Sequence, residues 1–137
     1  MKGISYFFFY TYIGLVVAAG FWGAFIDPKI DYSILFRFDI AELSEGIRND
    51  MLSQYRFLRA IELGFGVFAF VFVKEIFSEK KFNQLFLFTM FSGILARVTG
   101  ILIDGSPSSL MYFFLIYEGV GLILIFFYSR KKIYASS

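Results

Sequence analysis

Residues 85–110 read "LFLFTMFSGILARVTGILIDGSPSSL", and the fold turns on them. The run 85–103 is apolar but for Arg97. About 20 such residues, at about 1.5 Å of rise each, cross the roughly 30 Å hydrocarbon core of a bilayer. The "DGSPSS" that follows is a turn, with Ser106 suited to a helix N-cap and Pro107 to a first helical position. A second apolar run, 110–128, comes next and carries Glu118 as its one charge. Two spans joined by a tight turn predict a helical hairpin. A barrel is excluded because the strict polar/apolar alternation of barrel strands is absent.

Two further runs lie upstream. Residues 4–26 carry no charge, and residues 55–73 are apolar after their first two turns. The first run resembles a signal peptide in its Lys2 and in Ala18/Ala19. It is longer than the usual apolar stretch of about 7–15 residues, so a retained helix is expected. The predicted fold is all-α: a four-helix transmembrane bundle in one membrane domain, 1–137. Its helices are expected at about 4–26, 55–73, 85–103 and 110–128. The tight outer hairpin joins the third and fourth helices. The connection 27–54 is long for such a bundle. Within it "ILFRFDIAEL" alternates in polarity, and "ELSEGIRNDML" is expected to form a short amphipathic helix capping the outer end.

Composition agrees. Of 137 residues 58% are hydrophobic, 23% aromatic and 18% charged. Soluble domains average nearer 45–50% apolar and 25% charged. The chain has no Cys and no His, which removes disulfides, thiolate or imidazole metal sites and His general bases. A net charge of +2 is too small to argue for nucleic acid. No phosphate loop, nucleophile elbow or metal-ligand spacing is present.

The basic residues set an orientation. Lys2, Lys74, Lys80, Lys81, Arg130, Lys131 and Lys132 lie on one side of the predicted helices; only Lys29, Arg37 and Arg48 lie on the other, among six acids. The excess of Lys and Arg marks the cytoplasmic side. Both termini are therefore expected in the cytoplasm.

The remaining charges are intramembrane. Measured from the outer helix ends, Arg59, Arg97, Glu62 and Glu118 fall about 6, 9, 10 and 12 Å deep. Gly93, Arg97, Gly100 and Asp104 share one stripe of their helix, and Arg59, Glu62, Gly66 and Ala69 share another. Small residues let membrane helices approach closely, so each charge faces a neighbouring helix. A charge in hydrocarbon costs several kcal/mol unless paired or hydrated. A buried network of Arg59, Glu62, Arg97 and Glu118 is expected, with Asp104, Tyr112, Tyr117 and Thr99 in support. Such a network either fixes helix register or lines a ligand pocket. Arg56 is expected to anchor at the headgroups. The spacings Gly14/Ala18, Ala19/Gly23 and Ala96/Gly100 are expected to mark packing within the bundle.

At "YRFLRAIELGFGVF" (55–68), "ILARVTGILIDGSP" (94–107) and "YEGVGLIL" (117–124), the chain resembles a bacterial family of small four-helix membrane proteins, domain of unknown function 4345. The likeness covers residues 50–132. The matching positions are Arg59, Arg97, Gly100, Asp104, Gly105, Pro107 and Glu118. The resemblance implies a four-helix bundle and no particular activity.

The sequence thus points to a non-enzymatic integral membrane protein of the bacterial inner (plasma) membrane, multi-pass. It would serve as an accessory or interaction subunit with a structural Arg/Glu network. The alternative is a small carrier or binder of an ionic or amphipathic ligand, or of a lipid headgroup, in an outward-facing pocket. An enzyme acting on a lipid is the least favoured reading. No cofactor and no metal is implied. The expected partners are the lipid bilayer and other membrane subunits or a second copy of the chain.

Overall fold

The structure is a computed structural model that describes residues 1–135. Six α-helices follow one another: α1 Lys2–Phe21, α2 Pro28–Leu35, α3 Glu45–Val71, α4 Val73–Ser78, α5 Lys80–Asp104 and α6 Ser109–Ala135. A π-turn, Trp22–Ile26, extends α1, and a 3-10 turn, Ile40–Glu42, precedes α3. There is no strand among the described residues. Three helical segments are long and apolar enough to cross a membrane: Lys2–Ile26, Lys80–Asp104 and Ser109–Ala135. In α5 and α6 only 11% of the apolar stretch is buried within the protein, so their outward faces require an apolar surrounding. α3 has the length, 27 residues, but the stretch 54–71 still contains Arg56, Arg59 and Glu62.

The connection 27–54 is more helical than its polarity alternation suggests. Asp27 is extended and its carboxylate accepts from the Lys29 N–H at 2.9 Å, with Pro28 at the first position of α2. Proline lacks an N–H and biases its predecessor away from helix, so α1 stops there and a new helix starts. α2 closes at Arg37, which takes a left-handed φ of 53°. That turn brings the Phe38 N–H back to the Tyr32 carbonyl at 3.2 Å. Asp39 caps the 3-10 turn by accepting from the Ala41 N–H. The stretch expected as a separate amphipathic helix is continuous with α3. The connection between α3 and α5 also folds: α4 occupies Val73–Ser78, and the buried Asn83 amide donates to the Ile76 carbonyl at 2.9 Å, sealing the end of α4. α6 begins at Ser109, two residues later than the expected Pro107, and the Ser108 carbonyl takes its first bonds.

The chain forms two compact units, Ile13–Phe68 and Met1–Tyr12 with the chain from Ala69 onward. In the first, α1 and α3 approach closely. A Cβ on Gly66 would lie 2.6 Å from Val17, one on Gly20 2.8 Å from the Leu63 backbone, and one on Gly23 2.7 Å from the Arg59 side chain. As residues 17, 20 and 23 ascend, their partners 66, 63 and 59 descend, so the helices run antiparallel. Of the three small-residue spacings, Ala19/Gly23 makes such a contact at Gly23, whereas nothing lies within 4 Å of a Cβ on Gly14 and one on Gly100 meets only Asp104 of its own helix. In the second unit the core is aromatic. Phe77 lies between the rings of Tyr6 (4.3 Å) and Phe9 (5.3 Å), and Phe9 packs on Phe86 at 5.2 Å. The Ser5 hydroxyl donates to the Leu124 carbonyl at 3.1 Å, tying the start of α1 to α6.

Candidate functional site

Each unit carries its own charged group. In the first, α3 presents Tyr55, Arg59 and Glu62 one turn apart, and α2 presents Asp31. Arg59 donates from Nη2 and Nε to Asp31 Oδ2 (2.8 and 3.1 Å) and from Nη1 to Glu62 Oε2 (2.6 Å). The Tyr55 hydroxyl accepts from Arg59 Nε at 2.9 Å and donates to Asp31 Oδ2 at 2.8 Å. Its ring lies 5.1 Å from the guanidinium centre. The Arg59 and Asp31 side chains are 12% and 18% exposed, so their charges are largely withdrawn from solvent; Glu62, at 47%, is not. Gly23 makes room for the Arg59 stem. Arg56, expected at the headgroups, donates to the Ala24 carbonyl at 2.7 Å, within the π-turn that ends α1. Tyr32 packs 5.0 Å from Tyr55, and burial pushes its phenol above the usual range.

In the second unit the hairpin brings α5 and α6 together. Arg97 grips Glu118 with two parallel bonds, Nε to Oε2 at 3.0 Å and Nη2 to Oε1 at 3.2 Å. This fork-to-carboxylate geometry is the strong form of the pair. Arg97 is 37% exposed and Glu118 15%. The remaining terminal nitrogen, Nη1, faces only the Met111 sulfur at 3.7 Å, a weak acceptor. Beside it a cavity of about 270 Å³ opens at the turn, lined by Arg97, Gly100, Ile101, Asp104, Gly105, Pro107 and Met111.

The four expected network residues therefore occur as Arg59 with Glu62 and Arg97 with Glu118. Asp104 joins Arg97 in lining the cavity. Tyr112, Tyr117 and Thr99 bond elsewhere: to the Ser106 hydroxyl at 2.7 Å, to the Thr11 hydroxyl, and to the Leu95 carbonyl at 2.9 Å. Gly93 has nothing within 4 Å of where a Cβ would sit, and Gly100 only its own helix's Asp104 at 3.7 Å. The residue that sequence reasoning missed is Asp31. It sits among six acids of a polar connection, and only the Pro28 helix start carries it to Arg59. Among the described residues no three His, Cys, Asp or Glu side chains gather to hold a metal. The chemistry on offer is electrostatic: three carboxylates paired with two guanidinium groups, one of which, Arg97, also lines a cavity.

An all-α chain with three apolar helices of spanning length, and charges paired along them, points to a membrane protein. It belongs to the family described as Domain of unknown function (DUF4345), whose sequence model matches residues 8–129. No curated protein and no solved structure matches the chain.

Proposed function

We propose that the chain is a multi-pass protein of the bacterial inner membrane that acts as a non-enzymatic accessory or interaction subunit, its Arg/Glu pairs serving to hold helices in place. In this reading α3 also crosses the membrane, giving a four-helix bundle with both termini in the cytoplasm. The antiparallel run of α3 along α1 supports the fourth crossing. So does the neutralisation of Arg59, which lowers the cost of placing it at membrane depth. The observation that carries the structural role is the engagement of all three Arg59 nitrogens by Asp31, Tyr55 and Glu62. Each nitrogen of that guanidinium already holds a partner within the protein, which supports a positioning role over substrate binding. The test is extraction in a mild detergent followed by native electrophoresis. A subunit migrates in a larger complex and co-purifies with its partners; recovery solely as a lone monomer sinks the proposal.

The second group favours another reading for its own part of the molecule. Arg97 is more exposed than Arg59, and among the described residues its Nη1 bonds to the Met111 sulfur and to no oxygen. Arg97 and Met111 both line the cavity at the α5–α6 turn, which supports a pocket for an ionic or amphipathic ligand or lipid headgroup. Binding that is lost in Glu118→Gln while the fold is kept would support it.

A further inference from the structure

We propose that the cavity at the α5–α6 turn takes a zwitterionic amino-phosphate, the chemistry of a phosphoethanolamine headgroup. This rests on the pocket reading above and names its ligand class. Two groups of opposite charge line the one cavity. Arg97 offers Nη1, whose contact is the Met111 sulfur. Asp104, seven residues on and at the end of α5, is exposed and makes no ion pair among the described residues. Gly100 and Gly105 line the same cavity without side chains. The Asp104 carboxylate lies over Gly100, 3.7 Å from where a Cβ would sit, and Gly105 holds a φ of 102°, where a side chain is strained.

The charges select the class. Glu118 already neutralises Arg97, so Asp104 leaves the group with an excess negative charge. A simple anion must compete with Glu118 for the fork and is repelled by Asp104. A simple cation is met by Asp104 but leaves the Arg97 edge unused. A molecule with a phosphate and an ammonium a few ångströms apart satisfies both. The order along the helix also fits. α5 has 25 residues, about 37 Å long against a core of roughly 30 Å, so its last turn projects into the headgroup layer. Asp104 then lies at headgroup level and Arg97 about 10 Å below it, where acyl chains continue inward along apolar helix faces. About 270 Å³ suits a headgroup and not a whole lipid.

The full chain, purified in a neutral detergent, is presented with equal amounts of phosphatidylethanolamine, phosphatidylglycerol and a dialkyl-dimethylammonium lipid. Retention is read by native mass spectrometry. Phosphatidylethanolamine is expected to exceed each single-charge lipid by about fivefold, the effect of one exposed ion pair. Asp104→Asn, which removes an exposed and unpaired carboxylate and so keeps the fold, is expected to erase the preference over phosphatidylglycerol. Displacement of the lipid by free O-phosphoethanolamine at equal concentration assigns the same chemistry to a soluble ligand; failure to displace assigns it to the lipid. Equal or better retention of either single-charge lipid, or an unchanged preference in Asp104→Asn, overturns the zwitterion and leaves the pocket standing. No retention of any of the three overturns both.

Discussion

Replacing Arg97 by Leu tests whether the α5–α6 ion pair holds the hairpin. The substitution leaves Glu118, 15% exposed, with a carboxylate that has lost both of its charged bonds. Breaking a buried pair from one side costs about 3–5 kcal/mol, while an exposed pair is worth about 0–1 kcal/mol. Arg97 is 37% exposed and lines the cavity at the turn, so the pair is not fully enclosed by protein. The expected loss lies between those limits, about 2–3 kcal/mol. Glu118→Leu alone leaves a guanidinium beside the cavity at the turn, and a smaller loss of about 1–2 kcal/mol is expected. The double variant removes both charges and retains the apolar stems. It is expected within about 1 kcal/mol of the parent, a coupling of about 2 kcal/mol or more. Unfolding by SDS titration in mixed micelles, followed by far-UV circular dichroism and by the fluorescence of the single tryptophan, Trp22, supplies the four free energies. If the two single losses add to within about 0.5 kcal/mol in the double variant, the pair is not coupled and the structural role fails.

Arg59→Leu is expected to cost more than Arg97→Leu, about 3–5 kcal/mol in the same titration, because Arg59 is only 12% exposed and Asp31 is left behind at 18%; the reverse order refutes the ranking. Gly20→Val is expected to lose about 2–3 kcal/mol, since its Cβ would meet the Leu63 and Arg59 backbones at 2.8–2.9 Å and backbone cannot move aside, whereas Gly14→Ala, with open space around it, is expected to be neutral or slightly stabilising. Arg37→Gly relieves a left-handed φ of 53° and is expected to raise stability by about 0.5–1 kcal/mol; a loss would show that the Arg37 side chain has a role beyond the turn. The chain has no native Cys, so single-Cys variants report topology directly. Ser106→Cys is expected to react with an impermeant maleimide added outside the cell, and Lys80→Cys only after permeabilisation; the opposite pattern inverts the proposed orientation.

Much of the site was legible before any tertiary information. Arg97 and Glu118 lie at similar distances from the short turn that joins their helices, which sets them side by side in a helical hairpin. The Arg59–Glu62 pair follows from a spacing of three on one helix. Asp31 was not legible, because a carboxylate in a polar connection carries no signal of what it will face. Its pairing depends on Pro28 ending α1 and on the length of α2. Arg56 reads as a snorkelling side chain until the π-turn exposes the Ala24 carbonyl to it.

What the sequence by itself determined is the long apolar helices. Apolar runs of spanning length with single embedded charges leave helices as the only backbone that satisfies its own hydrogen bonds in lipid. The family follows from the same residues. Only the tertiary structure decided which charges pair, which glycines are crowded and where a cavity opens. Gly20, Gly23, Gly93 and Gly100 look alike along the chain, yet the first two lie against α3 and the last two face open space or their own helix. Side-chain periodicity specifies a face of a helix; what that face meets depends on how far apart the helices are set, and local sequence does not encode that distance.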